Sequence, residues 1–171
     1  MATEAIGSPF TDLHGYYYDG SSWHSDAISV ESEPHAFDMA TYNDEVLLVW
    51  LDPDDGDKIK FKKKTAWVYD GWDATVTVVS SGTNFSSKPT IAVDSSGNIY
   101  VFYYYNIDEK IRYVKSTDGG TTWGSPKEFT TEDLESGSFA YGLAVFIIDD
   151  KMGIAWSHDT DGVKFGVLDL S

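Results

Sequence analysis

Val46-Leu47-Leu48-Val49-Trp50-Leu51 is an unbroken apolar run. After the turn Asp52-Pro53-Asp54-Asp55-Gly56-Asp57 comes Lys58-Ile59-Lys60-Phe61-Lys62, which alternates. The first run reads as a strand covered on both faces, and the second as a strand with one wetter face. The same pair recurs as Ile99-Tyr100-Val101-Phe102-Tyr103 and Lys110-Ile111-Arg112-Tyr113. Trp50, Tyr103 and Trp156 then fall at steps of 53 residues, and Phe61, Tyr113 and Phe165 at steps of 52.

Strands surround each pair. The first repeat reads as Ala36–Thr41, Glu45–Leu51, Lys58–Lys64 and a fourth strand within Thr75–Ser80. The second reads as Pro89–Val93, Ile99–Tyr105, Lys110–Ser116 and Ser125–Thr130. The third supplies Leu143–Ile148, Lys151–Ser157 and Val163–Leu170. Gly, Asn, Asp and Pro fill the intervening turns, as in Asp94-Ser95-Ser96-Gly97-Asn98 and Asp159-Thr160-Asp161-Gly162. A period of about 50 residues built of short strands predicts an all-β propeller, one four-stranded blade per repeat.

About three blades fit in the chain, too few to close a ring easily. At the N-terminus, Tyr16-Tyr17-Tyr18-Asp19-Gly20-Ser21-Ser22-Trp23 matches Trp67-Val68-Tyr69-Asp70-Gly71-Trp72, so the chain opens on late-blade strands. We therefore expect one propeller domain over 1–171, with blades at 36–80 and 88–130 and a mixed blade of 138–171 plus 11–31. A homodimer would complete six blades and cover the open faces; the competing explanation is that these blades are a fragment of a larger propeller.

Composition narrows the function. The 171 residues hold 28 acidic and 12 basic side chains, a net charge of −16. Phosphate backbones and anionic lipid repel such a chain, so neither nucleic acid nor membrane is expected as a partner. The apolar run Gly142–Ile148 is far too short to span a bilayer. No cysteine is present, which excludes disulfides and thiol chemistry. Met1–Phe10 shows no signal-peptide pattern and the lack of cysteine leaves the compartment open; an extracellular, virion or cell-surface setting is the expectation.

Ser116-Thr117-Asp118-Gly119-Gly120-Thr121-Thr122-Trp123 resembles the Asp box, Ser-x-Asp-x-Gly-x-Thr-Trp, of the bacterial neuraminidase repeat found in sialidase-like propellers. The resemblance implies a structural turn, on the propeller face opposite the active site, for Ser116, Asp118, Gly120, Thr122 and Trp123. Asp19-Gly20-Ser21-Ser22-Trp23 and Asp70-Gly71-Trp72 look like eroded copies. Catalysis in that family clamps a carboxylate with three arginines, a bidentate task that Lys does poorly. This chain has a single arginine, Arg112, so a non-catalytic member is expected.

In a four-stranded blade the loop between strands two and three shares a face with the loop joining successive blades. Trp50, Asp52, Asp54, Tyr103, Asn106, Trp156, His158 and Asp159 fall on or beside that face. Aromatic rings stack on sugar C–H faces and carboxylates accept hydroxyl protons, which makes these residues the candidate glycan site. Asp52, Asp54 and Asp57 form a weaker candidate for Ca²⁺, off the EF-hand pattern; otherwise no cofactor is expected. The leading expectation is a carbohydrate-binding module. A structural or assembly protein, such as a viral surface component, and a glycoside hydrolase or lyase with an unassigned carboxylate pair are the alternatives.

Overall fold

The structure, a computed structural model, describes residues 13–28, 36–65, 71–80, 88–105, 107–129, 142–148, 151–158 and 162–170; among these every helical or strand element is a strand. Strands β1 (Leu13–Tyr18) and β2 (Trp23–Ile28) form a hairpin. The next four are β3 (Ala36–Tyr42), β4 (Glu45–Asp52), β5 (Lys58–Lys64) and β6 (Val76–Val79), paired in chain order into one antiparallel sheet. A second sheet repeats this with β7 (Thr90–Val93), β8 (Ile99–Tyr105), β9 (Lys110–Ser116) and β10 (Lys127–Glu128). A third has three strands, β11 (Leu143–Ile148), β12 (Lys151–His158) and β13 (Gly162–Asp169).

The expected strands form close to their expected bounds. The exception is β10, which keeps two residues of the expected Ser125–Thr130. Pro126 has no N–H to give to the ladder, so pairing starts only after it. Turns are held by short polar groups. Asn43 and Asp44 both adopt left-handed φ between β3 and β4, as a two-residue hairpin demands. Asp94 accepts the N–H groups of Ser96 (3.0 Å) and Asn98 (2.9 Å) between β7 and β8. Burial works to raise its pKa, but hydrogen bonds from Asn98, Tyr100 and Ser96 outweigh it and hold the carboxyl below the ordinary value.

The sheets pack face to face, as blades do. Leu47, Val49, Leu51, Ile59 and Phe61 of the first sheet meet Ile91, Val101, Tyr103 and Val114 of the second. On its other face the second sheet turns Tyr100, Phe102 and Ile111 against Met152, Ile154 and Trp156 of the third. Each fully buried side chain of this kind contributes about 1.5–3 kcal/mol. The innermost strands lie side by side, β3 by β7 and β7 by β11. Asp38 on β3 ties two of them, accepting Thr90 Oγ1 at 2.6 Å and the Ile91 N–H at 3.1 Å on β7.

The hairpin β1–β2 rests on the first sheet's remaining face, through Ile28 against Leu48 and Trp50. It stands at the opposite end of the stack from β11–β13, and the two do not pair within one chain.

Candidate functional site

Asp38, Thr90 and Ile91 hold neighbouring sheets in register, so the β4–β5 and β8–β9 turns lie at the same end of the stack. This is the loop end on which the sequence places a site. Its carboxylates are largely committed. Asp52 is buried and accepts the Asp55 N–H at 3.1 Å, holding the turn. Asp55 takes Lys58 at 2.7 Å and also Lys60; these hydrogen bonds lower its pKa. Asp54 is exposed, and Asp57 sits in left-handed φ (60°). Asp52, Asp54 and Asp57 do not converge: among the described residues no three acidic or histidine side chains form a metal-binding group. Asp52 spends one carboxylate oxygen on the Asp55 N–H, so its part in this turn is to hold the backbone.

On the second sheet, Arg112 binds Asp108, approaches Glu128 at 3.7 Å and lies 4.1 Å from the Tyr105 ring centroid. Lys110 adds a 3.2 Å bond to Glu128. The arginine is thus already stacked and paired. Asn106 and Asp159 lie outside the described residues, as does the side chain of His158, which ends β12.

The three rhythmic rings belong to the core. Trp50 and Tyr103 are each 1% exposed and Trp156 7%. Each closes the back face of its own sheet against the preceding layer. Burial pushes the Tyr103 pKa up to about 12. Rings with no free face do not stack on a sugar, so these three are corrected from ligand contacts to packing.

The Ser116–Trp123 turn forms as its residues suggest. Thr122 donates to Asp118 through its N–H (2.9 Å) and its hydroxyl, and Ser116 Oγ donates at 2.8 Å. These bonds, led by the Thr122 hydroxyl, lower the Asp118 pKa to about 2. Gly120 has φ 88°, and a Cβ there would fall 2.2 Å from Phe61 of the first sheet. Trp123 meets the same ring edge-on at 5.4 Å. The turn therefore staples one sheet to the next. Asp19 builds a similar turn in the β1–β2 hairpin, accepting the N–H groups of Ser21 and Ser22, each at 2.8 Å.

The aromatic surface open to a ligand lies elsewhere. A cavity of about 410 Å³ separates the hairpin from the first sheet, lined by Tyr16, Tyr17, Met39, Thr41, Lys64 and Trp72 among others. Lys64 Nζ sits 5.7 Å from the Trp72 ring and 5.9 Å from that of Tyr17. Tyr17 turns inward and stacks on His24 at 4.9 Å. Tyr16 (68% exposed), Tyr18 and Trp23 (71%) face out. The signal in the sequence was the strand period: Tyr16 and Tyr18 share a face, and Trp23 pairs across from Tyr18.

No family model matches this chain, and no curated protein does. Solved structures do. An α-L-arabinofuranosidase from Clostridium thermocellum is 12% identical with a TM-score of 0.55, over 99% of this chain and 61% of its own. An endo-arabinanase from Bacillus licheniformis is 14% identical (TM-score 0.51; 96% and 66%). A leech intramolecular trans-sialidase is 16% identical (TM-score 0.52; 94% and 29%). All are β-propellers, and the likeness shows that fold for this chain. The chain spans less than two thirds of the length of each.

Proposed function

We propose that this chain is a non-catalytic carbohydrate-recognition module of the propeller class, acting at a secreted, cell or virion surface. One observation carries the reading: the open aromatic cavity between β1–β2 and the first sheet, where the Tyr17 and Trp72 rings stand beside the Lys64 ammonium. Sugars are held by such rings through their C–H faces, with polar groups fixing orientation. Carbohydrate-active enzymes among the structural neighbours support it by analogy of fold. A single arginine gives no triad, which supports a binding role over sialidase chemistry. The same reading takes the sheets as half of a six-bladed ring.

A glycan array including arabinan oligosaccharides and sialylated glycans tests it. The folded protein is expected to bind at least one class, and Trp72→Ala to weaken that binding about tenfold, the loss of about 1.4 kcal/mol expected of one stacked ring. Trp72 also packs against Ile28, Leu48 and Trp50, so circular dichroism and melting of the variant accompany the array as the fold check. No hit from the folded protein, or hydrolysis of a glycan, would contradict the proposal.

A further inference from the structure

Among the described residues, both ends of the stack carry exposed apolar side chains. On the third sheet Phe146, Ile148, Val163, Phe165 and Val167 all project from the face turned away from the second sheet. Phe146 stacks on Phe165 at 5.8 Å with 12° between planes, across Gly153, where a Cβ would fall 2.2 Å from the Phe146 ring. At the other end, Phe37 and Met39 of β3 are about half exposed, and Tyr16, Tyr18 and Trp23 face out from the hairpin.

The repeat says what should lie on the third sheet. Phe61 is opposite Val49, the residue before Trp50; Phe165 is opposite Ala155, the residue before Trp156. The two rings hold the same place in the first and third blades, and Tyr113, opposite Phe102, holds it in the second. Phe61 is 2% exposed because Gly120 and Trp123 of the next sheet cover it. Phe165 is 57% exposed. The missing cover is the back of a blade, and this chain has one to offer at its hairpin end.

We infer that a second copy of this chain supplies that cover: the third sheet of each copy seats against Phe37, Met39 and the hairpin of the other. A twofold axis then makes two equal contacts and closes the ring. The inference rests on the half-ring reading proposed above. The five third-sheet side chains expose on the order of 600 Å², the upper end for an apolar patch on a soluble monomer. With the hairpin end added, each copy reaches the ~800 Å² that a stable interface needs from each partner. The net charge of −16 opposes association, so rising salt should strengthen it by screening.

Sedimentation velocity on the 171-residue protein, with circular dichroism as the fold check, tests this. The wild type should run near 38 kDa, about twice the chain's 19.0 kDa. Phe165→Asp and Phe37→Asp should each run as folded monomers, and Phe165→Thr should show a weakened dimer if the aspartate disturbs folding. Ile107→Asp, on the exposed loop end, should stay dimeric. A monomeric wild type overturns the half-ring reading itself. A dimeric wild type whose Phe165 and Phe37 variants remain dimeric leaves that reading standing and overturns this choice of surface.

Discussion

Gly120 shows how much one residue decides. Its φ of 88° and the 2.2 Å approach of Phe61 leave no room for a Cβ. Gly120→Ala should cost about 3 kcal/mol, from backbone strain and overpacking together, measurable as a fall in urea midpoint. Asp118 organises the same turn as an anion. Its folded pKa, about 2, lies below the ordinary 3.8. Its contribution is therefore complete above about pH 4 and is lost as pH falls toward about 2. Asp118→Asn should flatten that part of the stability–pH profile; an unchanged profile would show that the turn does not depend on the charge. Sequence made this turn legible because all its bonds are local. The burial of Trp50, Tyr103 and Trp156 was less legible, since the groups that cover them come from other layers. An apolar ring at a strand end reads alike whether a sheet or a sugar will lie against it.

At the scale of elements, strand periodicity carried the reading well. β5, β8, β9 and β11 begin and end where the pattern of apolar residues places them. β10 did not follow, because Pro126 and the preceding turn override a weak pattern. The cavity beside the hairpin was not legible either: it exists only where β1–β2 meets the first sheet, and its walls are distant in sequence. Contact between innermost strands is equally non-local. Asp38 links β3 to both a hydroxyl and an N–H on β7. Asp38→Ala leaves the Ile91 N–H and the Thr90 hydroxyl without this acceptor and should cost about 1–3 kcal/mol in chemical denaturation. A loss within experimental error would mean that the apolar layers alone fix the register.

At the scale of the whole molecule, the described residues form three packed sheets, with a hairpin against the first and an exposed apolar face on the third. Sheets stacked front to back generate two unlike ends, and unlike ends of identical chains close on each other or keep adding. A repeat that buries Phe61 and leaves Phe165 open states the same incompleteness in residues. Carbohydrate recognition would then belong to an assembled ring, with the hairpin cavity next to the seam between copies. The most direct test is the solution mass of the wild-type protein by light scattering. The account predicts about 38 kDa, twice the 19.0 kDa of one chain, and a clean 19.0 kDa particle would contradict it.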